Sequence, residues 1–126
     1  MVKKIMIVDD DPDIRSTLKD LLNAVGYKAT AFDDGYELFK KLENGKKPNL
    51  ILLDVMMPLM SGWEIQRKLN NNPNWRNIPI IFVTGRNTDT AIKMAKKYGI
   101  YYIQKPFNIS QLKRLISLAL KKRRDT

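Results

Sequence analysis

Apolar residues follow two rhythms that alternate along the chain. Ile5-Met6-Ile7-Val8, Leu50-Ile51-Leu52-Leu53, Ile80-Ile81-Phe82-Val83 and Ile100-Tyr101-Tyr102-Ile103 are short continuous runs, and a less uniform one lies around Tyr27 to Phe32. Their length and β-branched or aromatic content predict five strands. Between them, apolar positions recur at helical spacing. Ile14, Leu18, Leu21, Leu22 and Val25 form one stripe, predicting a first helix with Asp11 as N-cap, Pro12 at its first position and Gly26 as its stop. A second helix is predicted from Asp34 to Asn44, with Leu38, Phe39 and Leu42 inward and Gly45 ending it. The third starts near Ser61-Gly62, carries Trp63, Ile65 and Leu69, and stops at Asn70-Asn71-Asn72-Pro73. The fourth spans Thr88 to Tyr98 before Gly99, and the fifth runs from Ser110 to Lys121 on Leu112, Leu115, Ile116, Ala119 and Leu120.

Strands that read as near-continuous apolar runs are covered on both faces, as in parallel sheets flanked by helices. With right-handed crossovers, the simplest arrangement is an α/β fold with a doubly wound five-stranded parallel sheet and five helices. The 126 residues fit one domain, expected over residues 1–122, with a basic tail at 123–126. There is neither cysteine nor histidine. Disulfides, thiolate metal sites and imidazole bases are thereby excluded, and any chemistry must rest on carboxylates, hydroxyls and lysines. With no signal peptide and no apolar run long enough to span a bilayer, a soluble cytoplasmic protein that does not engage membranes is expected.

The net charge of +10 is unevenly distributed. Residues 1–54 hold 9 Lys/Arg against 10 Asp/Glu, whereas residues 55–126 hold 14 against 3. The excess falls largely on the last two helices and in Lys121-Lys122-Arg123-Arg124. Such runs serve as solvated helix faces, or attract nucleic acid, anionic lipid or acidic protein.

Four of the five strands run into polar residues suited to a cation or a phosphate: Asp9-Asp10, Asp54, Thr84, and Gln104 followed by Lys105-Pro106. Ligands of open parallel sheets bind beyond the carboxyl ends of the strands. Asp54 is the candidate reactive centre. The next helix starts too far away for Asp54 to cap it, and a carboxylate there is able to accept a phosphoryl group as a mixed anhydride. Haloacid-dehalogenase-type phosphatases want a second Asp two residues on, where this chain has Met56. Asp11 is explained by capping; Asp9 and Asp10 are not. Three exposed acids in a turn would account for that segment alone, but with Asp54 they supply the hard oxygens that Mg²⁺ favours. Lys105 precedes Pro106 in a tight turn, a candidate cis bond that would aim its ammonium at the carboxylates. The Thr84 hydroxyl is placed to meet a phosphoryl oxygen, with room left by Gly85.

Val8-Asp9-Asp10, Leu53-Asp54-Val55-Met56-Met57-Pro58 with Gly62, Val83-Thr84-Gly85 and Lys105-Pro106-Phe107 together resemble, in order and spacing, the receiver domain of two-component response regulators. The likeness covers essentially the whole chain and is to a single domain of the chemotaxis-regulator kind. It implies a flavodoxin-like sheet of order 2-1-3-4-5. It also implies that Asp54 takes a phosphoryl group from a sensor histidine kinase or histidine phosphotransfer protein. Mg²⁺ (or Mn²⁺) would be held by Asp9, Asp10, Asp54 and the backbone carbonyl of Met56. Thr84 and Tyr102 would form a switch pair controlling the face made by the fourth helix, fifth strand and fifth helix. The protein would be a signalling phosphoacceptor, with self-phosphorylation and self-dephosphorylation its only catalysis.

Some relatives dimerise through an acidic pair before the switch tyrosine. Gly99-Ile100-Tyr101-Tyr102 has none, so a monomer or weak dimer and an acidic downstream protein are expected. Apolar Met56 cannot orient an attacking water, which points to a long-lived phosphoryl state. Three rivals remain: a basic module binding nucleic acid or acidic protein without phosphorylation, an FMN carrier, and a degenerate receiver. The first lacks a helix-turn-helix signature and clustered aromatics, so nucleic acid is not the expected direct partner. The second lacks a Ser/Thr/Gly-rich phosphate loop, and the third is at odds with the complete residue set.

Overall fold

The computed structural model describes residues 2–85 and 89–123, except for the side chains of 89–91 and 122–123. Its strands are β1 (Lys4–Val8), β2 (Lys28–Phe32), β3 (Leu50–Asp54), β4 (Ile80–Thr84) and β5 (Tyr101–Gln104). They alternate with α1 (Pro12–Ala24), α2 (Gly35–Glu43), α3 (Gly62–Asn70), α4 (Asp89–Tyr98) and α5 (Ile109–Arg123). All strand pairs are parallel, in the order β2-β1-β3-β4-β5. This is the doubly wound arrangement predicted. Thr88, the expected start of α4, and residues 124–126 of the basic tail lie outside the described residues.

Side chains alternate across a strand, and the alternation sorts the core into two layers. Met6, Val8, Ile51, Leu53 and Phe82 meet α2, α3 and Ala95 of α4 on one face. Ile5, Ile7, Leu50, Leu52, Ile81 and Val83 meet α1 and α5 on the other. The central strands β3 and β4 are buried throughout, while β5 at the edge leaves Tyr102 and Gln104 exposed. Edge position, not sequence, separates β5 from the other apolar runs. In α1 only Leu18 and Leu22 are buried; Leu21 and Val25 stay 38% and 39% exposed. The predicted stripe is wider than the contact the sheet offers.

Local chemistry sets the helix ends. Asp11 and Asp34 cap α1 and α2, and Ser61 caps α3 in a reciprocal box with Glu64. Asn108 and Gln111 exchange the same kind of bonds at α5. Helices α1, α2 and α4 end alike: Tyr27, Lys46 and Ile100 donate back to Leu22, Lys41 and Ala95 across left-handed Gly26, Gly45 and Gly99. Ile100 is thereby used to close α4 instead of opening β5, and it packs with the α2–α4 layer. Among the described residues no helix is long and apolar enough to cross a membrane.

One packing constraint bears directly on the carboxyl edge. The Gly62 N–H donates to Val55 O at 3.0 Å, drawing the start of α3 against the end of β3. A Cβ at Gly62 would collide with the Asp54 carbonyl oxygen and come within 2.9 Å of Val55 Cα, both backbone atoms that cannot step aside. At Gly35 the obstacles are side-chain atoms, Cδ1 and Cγ1 of Ile65 and Sδ of Met60, which rotate more readily than backbone moves. Gly62→Ala is therefore expected to cost about 1–3 kcal/mol of unfolding free energy, and Gly35→Ala less. Urea denaturation of the two variants checks the ranking.

Candidate functional site

Strands β1 and β3 are neighbours, with Val8 opposite Leu53, so Asp9 and Asp54 leave the sheet side by side. One carboxylate oxygen from each of Asp9, Asp10 and Asp54 lies within 4.8 Å of the others. Asp9 and Asp54 are buried and Asp10 is exposed. Asp9 is held from several directions. Its Oδ1 accepts the Asp11 N–H at 2.9 Å, its Oδ2 accepts from Lys105 Nζ at 2.9 Å, and its carbonyl accepts from Arg15 Nη1 at 2.7 Å. Asp54 is less well served: Oδ1 accepts the Met56 N–H at 3.2 Å, and Oδ2 lies 3.8 Å from Lys105 Nζ.

Lys105 reaches this cluster from the far side of β4. Its N–H donates to Thr84 O at 2.7 Å, and its peptide bond to Pro106 is cis. Burial, then the charge of Asp9, push the Asp54 carboxyl up from 3.8 to about 7; Lys105 and the Met56 N–H pull the other way without prevailing.

Strand alternation puts Asp9 and Asp54 on the α1/α5 side of the sheet, with Ile5, Ile7, Leu50 and Leu52. Thr84 follows Ile80 and Phe82 onto the opposite side, and Tyr102, in register with Phe82, shares that side. Thr84 is buried, and Tyr102 is 37% exposed. Tyr101, the other tyrosine at this point, packs inward against the α1/α5 layer. Arg15 had no place in the sequence reading. Its only signal was its position in the first turn of α1, from which the helix returns it to Asp9.

The donor set suits Mg²⁺. All three groups are hard oxygens, and that ion draws such ligands to about 2.1 Å while keeping several waters. Oxygens already within 4.8 Å of one another need only small side-chain rotations to meet it. A dication also relieves the repulsion that raises Asp54.

The family model of the response regulator receiver domain matches residues 5–117, and the chain belongs to that family. It is 34% identical over 106 residues to the CAI-1 autoinducer sensor kinase/phosphatase CqsS of Vibrio cholerae, covering 82% of this chain and 15% of that protein. To the chemotaxis protein CheY1 of Helicobacter pylori it is 29% identical over 119 residues, covering 93% of this chain and 96% of that one. Among solved structures, a CheY-like response regulator receiver domain protein of Methanospirillum hungatei superposes with a TM-score of 0.88 at 30% identity, covering 99% and 98% of the two chains. The chain thus spans a small part of some relatives and nearly all of others. Receiver domains are signalling phosphoacceptors supplied by histidine kinases, and their acidic cluster binds Mg²⁺.

The raised Asp54 carboxyl has a stability consequence. A group whose folded pKa lies above its unfolded value stabilises the fold below the unfolded pKa, and loses that contribution as pH climbs through the folded one. Ionised Asp54 is then a burden. Without divalent metal, Asp54→Asn is expected to be more stable than wild type by about 1–3 kcal/mol near pH 8, the gain shrinking as pH falls toward about 4. Denaturation in EDTA across that range checks the sign.

Proposed function

We propose that Asp54 is the phosphoacceptor of a Mg²⁺-dependent transfer from a phosphohistidine on a sensor kinase or phosphotransfer protein. The convergence of Asp9, Asp10, Asp54 and Lys105 carries this reading. An Asp54 carboxylate oxygen attacks phosphorus, the O–P bond forms as the P–N bond breaks, and the departing imidazole takes a proton. Asp9, Asp10, Asp54 and the Met56 carbonyl hold the metal, which when bound neutralises charge on the phosphoryl oxygens. The Lys105 ammonium, already 2.9 Å from Asp9 and 3.8 Å from Asp54, turns to a phosphoryl oxygen. Pro106 fixes the turn that carries it.

The transfer adds nearly two negative charges beside the end of β4. The Thr84 hydroxyl moves toward them, Tyr102 turns into the space released, and the face formed by α4, β5 and α5 changes. The shift is as large as the difference in phosphoryl binding between the two states. Residues 90–123 contain nine Lys/Arg and no Asp or Glu, so the output partner is an acidic protein engaged by a monomer or weak dimer. In this reading the receiver extends over residues 1–122, and 123–126 is a basic tail. The same charge favours the rival basic module; binding that falls with salt but ignores phosphorylation would select it.

Incubated with acetyl phosphate and Mg²⁺, the wild type is expected to gain the mass of one phosphoryl group, while Asp54→Asn gains none and EDTA abolishes the gain. Equal mass gain in the variant would refute Asp54. Thr84→Ala is expected to accept the group while the Tyr102 ring keeps its unphosphorylated NMR shifts. A Tyr102 response as large as wild type would remove Thr84 from the switch.

A further inference from the structure

At the sheet edge opposite the acidic cluster lies a cavity of about 200 Å³, between the end of α3, the entrance to β4 and the α4–β5 connection. Trp75, Ile78, Tyr98 and Ile100 give it apolar walls, and Arg76 is the one charged residue among the described residues lining it. Gln66, also on its wall, is 3% exposed, and its Oε1 has no hydrogen-bond partner among the described residues. An amide oxygen withdrawn from water without a donor is costly, and native folds tolerate few. The terminal torsion of glutamine is soft, so a donor arriving in the cavity can be met by a small rotation. Arg76 is exposed, and Lys97 Nζ stands 5.5 Å from the centre of the Tyr98 ring. The rim is therefore cationic, with no carboxylate among the described residues lining it.

We infer that this cavity is a second ligand site, for a small aromatic carboxylic acid bearing one O–H or N–H donor. The ring lies against Trp75 and Ile100, the donor satisfies Gln66 Oε1, and the carboxylate faces Arg76. Buried polar groups that demand a partner discriminate sharply against an analogue lacking it. Tyr98 ends α4 and Ile100 joins it to β5, two elements of the face that the proposed phosphoryl response changes. Occupancy is therefore coupled to the state of Asp54, and by reciprocity the coupling runs both ways. The coupling rests on the function proposed above; the binding does not.

The probe is 4-hydroxyphenylacetate, titrated into the full chain and followed through ¹H–¹⁵N spectra. Saturable shifts are expected at the Trp75 indole and the amides of residues 98–101, with a dissociation constant of about 1 mM or below. Phenylacetate, lacking the donor, is expected to bind about tenfold more weakly, and Gln66→Leu to erase that difference. Arg76→Gln should weaken the carboxylate but leave 4-hydroxyphenylacetamide unchanged. Absence of saturable shifts with any probe overturns the site. So does a titration that neither substitution alters, because a water alone then serves Gln66. Repeating the titration with Mg²⁺ and beryllofluoride, a phosphoryl mimic, tests the coupling, which equal affinity in the two states would overturn. Failure of beryllofluoride to perturb the amides around Asp54 would instead refute the phosphoacceptor role, leaving the cavity result intact.

Discussion

Like charges forced together at the end of a buried sheet govern the chemistry of this domain. Asp9 and Asp54 leave neighbouring parallel strands at the same level, and neither is open to solvent. Burial and mutual repulsion outweigh the pull of Lys105 on Asp54. The lysine favours Asp9, at 2.9 Å, over Asp54, at 3.8 Å. Asp54 thus remains the under-compensated group, raised to about 7. A carboxylate in that position gains most from a dication, which suits the phosphoacceptor role proposed for Asp54. Much of the surrounding structure holds this arrangement still. Arg15 and the Asp11 N–H fix Asp9, and the absence of a side chain at Gly62 lets α3 press against the end of β3.

Parallel strands with strict alternation divide the labour between the two sides of the sheet. Asp9 and Asp54 lie on the α1/α5 side, while Thr84 and Tyr102 lie on the side of α3 and α4. A group attached to Asp54 stands beyond the strand ends, where both sides meet. Charge handling on one side is in this way separated from the readout proposed for the other, and β5, being an edge strand, carries that readout to the surface. The Gln66 cavity lies at the opposite end of the same strands. There it touches the α4–β5 connection, a full strand length from the acidic cluster.

Much of this was legible in the chain. The five strands, the caps at Asp11, Asp34 and Ser61, and the parallel doubly wound sheet follow from period, turn chemistry and continuous apolar runs. The approach of Asp9, Asp10 and Asp54 follows from their places at strand ends once β1 and β3 are neighbours. Other features depend on three-dimensional neighbours that no local pattern encodes. Leu21 and Val25 belong to the helical stripe by spacing, yet lie past the edge of what the sheet covers. Ile100 reads as strand but is drawn off by the end of α4. Gln66 sits among the polar residues of a helix, and only tertiary packing makes it a buried, unpartnered amide.

The most direct test is the thermal midpoint of the wild type titrated with MgCl₂ at fixed ionic strength and about pH 8, where Asp54 is ionised. A ligand that binds only the folded state stabilises it in proportion to the logarithm of one plus its concentration over the dissociation constant. The expected result is a midpoint that climbs along that curve for the wild type and hardly moves for Asp9→Asn. A wild-type midpoint indifferent to Mg²⁺ would contradict the convergence of charge on which the rest is built.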